Sequence, residues 1–203
     1  MILAEDRLKR TEIAVLFLLA SLISTTNAVA QPDGEYRKGS IEWRLTAGGA
    51  LPVDVSSARP DRRLSFGAVE IGRIMTTQHG PGVLAGQFEL SLQMMPIVVR
   101  GPEDFWGVGL TPVSVRWTFA GKLVRPFVDV SAGLMLVDWK TPGPGRLPGN
   151  FNEQIGFGVR VGHARSPGFL LGYRFQHISN GSRSHPSPGV DTHQLYAGVS
   201  FVK

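Results

Sequence analysis

The chain has 203 residues, with no cysteine, 25 glycines, 14 prolines and a formal net charge of +5. That length suits one domain, and the missing thiols exclude disulfide frameworks, thiolate metal sites and cysteine nucleophiles. Abundant Gly and Pro with only 18% charged residues weaken helix interiors and point to a turn-rich β protein.

The first thirty residues stand apart. "MILAEDRLKR" ends in basic residues, and Ile13–Ile23 is an apolar run of eleven broken only by Ser21. A bilayer-spanning helix needs about 20 apolar residues. The small residues that follow place Ala28 and Ala30 in an A-x-A arrangement. This pattern predicts a secretory signal peptide over 1–30, removed after Ala30, and a single domain over 31–203. Acidic Glu5 and Asp6 are unusual in such a leader. The leader carries three basic and three acidic residues, so the +5 charge survives its removal. No Lys/Arg run or interleaved aromatics marks a nucleic-acid surface, and attraction to an anionic membrane is the simpler reading.

Beyond the leader no segment offers 18 consecutive apolar residues, so helical spans are not expected. Instead eight segments of alternating polarity recur, at 39–53, 62–76, 86–100, 105–119, 125–138, 150–163, 168–181 and 191–203. Breaks rich in Gly, Pro, Ser and Asp separate most of them, as turns require. The early segments alternate less cleanly, "LQMMPIVVR" being nearly all apolar. The late ones are regular. In the last, Leu195, Ala197, Val199 and Phe201 alternate with Gln194, Tyr196, Gly198 and Ser200. In the sixth, Ile155, Phe157, Val159 and Val161 alternate with Gln154, Gly156, Gly158 and Arg160. A soluble sandwich also alternates, but a polar row of Gly and Ser with occasional Arg and Gln suits the tight interior of a small barrel. We therefore expect an all-β, eight-stranded antiparallel transmembrane β-barrel of the outer-membrane type. Arg160 and Arg174 then face acids inside. Trp43, Trp106, Trp117 and Trp139 fall near strand ends, as interfacial girdles do.

In the seventh segment Phe169, Leu171, Tyr173, Phe175, His177 and Ser179 share one row, because side chains two apart share a face. A polar pair has thus been set on the wall that faces lipid, where an unpartnered polar group costs several kcal/mol. Across the last hairpin, Asp191 and His193 fall on the matching row. A Ser, a His and an Asp can therefore converge, the generic form of an activated nucleophile. Asn180, or the backbone N–H groups around Asn180 and Gly181, can stabilise an oxyanion. His193 is a rival base and Glu153, of the same outward parity, a rival acid. His79, His163 and His185 fall in turns, and no metal or other cofactor is expected. With both termini periplasmic, the last hairpin loop is extracellular. The patch then lies at the depth of the outer leaflet, whose lipopolysaccharide carries ester-linked acyl chains on lipid A.

"HISN" followed by "PGVDTH" resembles the lipid A 3-O-deacylases of the PagL type, outer-membrane serine esterases built on eight-stranded barrels. Their motif is His-x-Ser-Asn with an acidic residue fourteen positions after the His. His177, Ser179, Asn180 and Asp191 match, although the best-known members carry Glu at the last position. "NFNEQIGFGVRV" and "RPFVDVSAGL" also resemble this family's strands. The resemblance implies hydrolysis, without a metal, of an acyl ester of lipid A in the outer membrane. Ser179 would be the nucleophile, His177 the base, Asp191 the orienting acid, and Asn180 with Gly181 the oxyanion site. The acyl chain would lie along Phe169, Leu171, Phe175 and Leu195. A homodimer is left open. The competing reading is a non-catalytic barrel serving as envelope scaffold or adhesin.

Overall fold

A computed structural model describes residues 36–53, 63–100, 105–139, 147–164, 166–183 and 189–203. The expected signal peptide, 1–30, lies outside them, as does His185. Eight strands follow in order: β1 (Ile41–Val53), β2 (Arg63–Ile74), β3 (Gly86–Arg100), β4 (Phe105–Phe119), β5 (Val124–Trp139), β6 (Gly149–Val161), β7 (Gly168–Ser179) and β8 (Val190–Val202). Each pairs antiparallel with the next, and β8 returns to β1, closing the barrel. Closure leaves no unpaired strand edge, which is what lets a sheet cross hydrocarbon. The expected boundaries hold to within two residues at every end. Alternation is visible as burial: in β7 the even residues Leu170, Arg174, Gln176 and Ile178 are buried, while Phe169 and Leu171 are exposed.

The interior has two zones. Toward the end where β1 begins and β8 ends it is ionic. Arg44, 1% exposed, bonds Glu42 at 2.8 Å, Glu70 at 2.7 Å and Glu89 at 2.5 Å. Arg116 pairs with Asp129 at 2.7 Å. Arg160 meets Glu42 at 3.3 Å and donates to Ser200 Oγ at 2.7 Å. Arg174 instead packs over the Tyr196 ring at 5.0 Å. Toward the other end the filling is largely apolar: Leu64, Phe66, Met95, Ile97, Val99, Phe105, Met135 and Val137. That explains "LQMMPIVVR": Met95, Ile97 and Val99 fill the barrel while Met94 and Val98 face out. Both rows are apolar because both contact apolar surroundings.

One irregularity shapes the outer wall. Against β3, the register moves from Ser91↔Ser114 to Gln93↔Thr111, and against β5 from Leu110↔Leu134 to Val113↔Ala132. β4 thus carries one extra residue at Thr111–Val113, a β-bulge containing Pro112, which has no N–H to give the ladder. Beyond it the inward parity switches from Thr111 to Ser114 and Arg116. Trp43 and Trp117 lie toward the end where β1 begins and Trp106 toward the other, as interfacial aromatics do.

Candidate active site

β7 ends at Ser179, and the chain then turns sharply. Gly181 and Ser182 have φ of 62° and 58°, and Arg183 N–H donates to Asn180 C=O at 3.3 Å, the pattern of a type I′ turn. The Arg183 side chain donates to that same carbonyl at 2.8 Å and also to Gly149 C=O, and it lies 5.2 Å over the Phe151 ring. Gly181 is required here twice. Its φ disfavours a side chain, and a Cβ would sit 2.6 Å from the Phe151 ring. The turn after the serine is thereby clamped to β6. Sequence reasoning missed Arg183, whose only local signal is its position just past the turn.

Across the hairpin His177 is the register partner of Asp191. Such partners have Cα atoms about 4.5–5.5 Å apart, close enough for a short carboxylate arm. His177 Nδ1–H donates to Asp191 Oδ1 at 2.5 Å. The carboxylate is 2% exposed and the imidazole 32%, so the acid is enclosed while the base remains accessible. This bond assigns the proton to Nδ1 and leaves Nε2 as the acceptor. Ser179 lies two residues along on the same outward row, about 6.6 Å from His177 along the strand. Ser179, His177 and Asp191 are therefore brought onto one patch. Asn180 falls on the other row and its side chain is 1% exposed, so the donors it can turn toward the outer face are those of the backbone.

The rivals occupy different positions. His193 is opposite Phe175, and its Nδ1 hydrogen-bonds the Tyr173 hydroxyl. Glu153 is the register partner of His177 on the β6 side, but the imidazole Nδ1 is engaged by Asp191. His79 is exposed at the far end, its ring against the edge of Trp117 at 5.0 Å.

Behind the patch, inward-facing amides tie the three strands together. Gln176 Nε2 donates to Asn152 Oδ1 at 2.8 Å, and Gln154 Nε2 to the same oxygen at 3.2 Å. Gln194 Nε2 donates to Gln176 Oε1. Such buried, interconnected amides stiffen the wall that holds the outward side chains.

Two apolar grooves run along the outer wall from this patch. The nearer, about 490 Å³, includes His177, Glu153, Phe175, Val113, Val130 and Ile155 in its lining. The farther, about 790 Å³, shares Val115, Val130, Ile155 and Phe175 and continues past Phe157 and Tyr173 to Trp117 and Phe88. The bulged strand β4 supplies one side of the nearer groove. Of the residues expected to carry an acyl chain, Phe175 lines both grooves. Phe169, Leu171 and Leu195, at 71%, 62% and 67% exposure, form an open strip on the β7–β8 side instead.

Residues 74–200 match the family model "Lipid A 3-O-deacylase (PagL)". Among solved structures, the outer-membrane enzyme PagL is similar with a TM-score of 0.57 and 16% identity, over 78% of this chain and 98% of that one. Neisserial surface protein A is similar with a TM-score of 0.52 and 14% identity, over 81% of this chain and 97% of that one. No curated protein matches. At these identities the structures speak for the barrel, whereas the family model covers well over half the sequence and includes the whole HISN-to-Asp191 stretch. The chain belongs to the lipid A 3-O-deacylase (PagL) family and is an eight-stranded barrel of the bacterial outer membrane.

Proposed function

We propose that this protein hydrolyses an acyl ester of lipid A, the 3-O-linked chain, by a serine mechanism on the outside of its barrel. The observation that carries the reading is the His177 Nδ1–Asp191 Oδ1 bond of 2.5 Å, on one outward row with Ser179 and at the mouth of an apolar groove. Asp191 holds the imidazole in the tautomer that leaves Nε2 basic. His177 Nε2 takes the Ser179 hydroxyl proton as Oγ attacks the ester carbonyl. The resulting oxyanion is held by backbone N–H groups near Asn180 and Gly181. Collapse breaks the bond to the sugar oxygen, which takes the proton from His177 as it leaves and becomes a hydroxyl, and an acyl-serine remains. Water, deprotonated by His177, then attacks that acyl group, and Ser179 Oγ departs with the proton returned by His177 as the fatty acid is released.

The scissile chain would lie in the β4–β7 grooves, so its burial positions the ester before any bond changes. The strip of Phe169, Leu171 and Leu195 would carry the neighbouring chains of the same lipid. Export by the 1–30 leader and an extracellular β7–β8 loop would bring the patch to the outer leaflet. The test is mass spectrometry of lipid A from cells expressing the wild type or Ser179→Ala. Loss of one ester-linked chain in the wild type alone supports the reading. Identical lipid A in both sinks it and leaves a non-catalytic envelope barrel.

A further inference from the structure

Far from the candidate ester site, at the end of the barrel where β1 begins and β8 ends, four cations gather at the β8–β1–β2 seam. Ile41 is their centre. Arg73 is its register partner on β2, and Lys203 exchanges both backbone bonds with it on the other side, at 3.0 and 2.8 Å. Partners in such pairs project to the same face, so Arg73 and Lys203 flank Ile41 on the outer wall, about 10 Å apart across two strand spacings. Arg37 and Lys38 join them from the turn before β1, which Gly39 N–H closes onto Ile74 C=O at 2.8 Å. All four are exposed.

Among the described residues no exposed acidic side chain lies beside them. Among the described residues the acids nearest in sequence, Glu42 and Glu70, face inward and are held by Arg44. Among the described residues the exposed acids are Asp138 and Glu153, toward the other end of the barrel. One position further into the wall on the same row sits Trp43, 46% exposed, between its register partners Ile71 and Phe201. The order from rim to wall is therefore paired cations, then an indole, then aliphatic and aromatic surface. That is the sequence of environments of a phospholipid: phosphate, glycerol ester level, acyl chains.

We infer that the β8–β1–β2 seam binds an anionic phospholipid, its phosphate between Arg73 and Lys203 with Arg37 and Lys38 alongside, and its acyl chains against Trp43, Ile71 and Phe201. The commitment to a phospholipid, rather than to a lipid A phosphate, rests on place: the seam lies at the opposite end of the barrel from the ester site. The inference does not depend on catalysis.

The test is native mass spectrometry of the detergent-purified barrel titrated with phosphatidylglycerol, phosphatidylcholine of the same chains, or lipid A. Quenching of tryptophan fluorescence by brominated phosphatidylglycerol, with Trp43→Phe as the control, reports on the position. The wild type should retain phosphatidylglycerol over phosphatidylcholine. At about fivefold per interfacial cation, Arg73→Gln with Lys203→Gln should weaken retention roughly 25-fold. The share of the quenching that comes from Trp43 should be lost in Trp43→Phe, leaving only that of the other tryptophans. Heat-modifiable gel migration of the double variant shows that the barrel is intact, and a Trp43→Phe chain that keeps its cations must still retain the lipid's headgroup preference. Equal retention of both phospholipids, a double variant as competent as the wild type, or preference for lipid A over phosphatidylglycerol would overturn the assignment.

Discussion

Replacing Asp191 with Asn probes the proposed mechanism at one atom. The side chain keeps its size inside an enclosed position, 2% exposed, so the barrel should assemble and migrate in its heat-modifiable form. What changes is the bond to His177 Nδ1, 2.5 Å in the parent. A charge-assisted bond of this kind contributes about 1.5–3 kcal/mol, or roughly 10- to 150-fold in rate if all of it serves the transition state. The amide adds a second effect. Its NH₂ can donate to Nδ1, moving the ring proton to Nε2 and leaving Ser179 without a base, which in a serine hydrolase costs up to about 10⁴. The expected fall in the initial rate of fatty-acid release from lipid A in mixed micelles is therefore about 10²- to 10⁴-fold. It should appear in kcat with KM little changed, because Asp191 touches no substrate. Asp191→Glu keeps the charge, and its longer arm only has to fold back from a register partner, so it should retain activity to within about tenfold. An Asp191→Asn protein that is folded and within twofold of the parent would refute the orienting role and return Glu153, the other register partner of His177, as the acid to test.

Other outcomes follow from the same geometry. Val130→Trp or Ile155→Trp fills the wall shared by both grooves and should raise KM for long acyl chains about tenfold while sparing short ones, measured across a chain-length series. Gly181→Val forces a β-branched residue to a φ of 62° against the Phe151 ring. It should cost about 1–2 kcal/mol in the turn and displace the serine enough to lower kcat about 10²-fold, with the barrel still closed by gel migration. Arg44→Met strands Glu42, Glu70 and Glu89 without their shared cation. Breaking such a buried cluster costs about 3–5 kcal/mol, read as a lower midpoint of heat or urea unfolding, with kcat nearly unchanged because the cluster lies remote from the site.

The strands were legible from sequence because polarity alternates wherever the two faces of a strand meet different media. β6, β7 and β8 do so, with Gln, Arg, Ser and Gly inside and Val, Phe and Leu outside, and their parity placed His177, Ser179 and Asp191 on one outer row. β3 and β4 were harder for two physical reasons. Their inner residues near one end, Met95, Ile97, Val99 and Phe105, fill the barrel with apolar volume, which erases the contrast. The extra residue at Thr111–Val113 then switches the parity partway along β4. Arg160 was read correctly as inward and paired with an acid, but the partner, Glu42, comes from a strand more than a hundred residues earlier.

By itself, then, the sequence determined the strand count, the outward row and the residue types of the candidate triad, because these are properties of period two and of local spacing. The tertiary structure decided the rest. Register set both Asp191 and Glu153 beside His177, and the side-chain bond to Asp191 distinguishes them. The bulge in β4 and the curvature of four adjacent strands made grooves on the β4–β7 side, where period two showed only more apolar wall. The expected acyl-chain row accordingly divides at Phe175, because a groove is a relation between strands that no single strand's pattern contains.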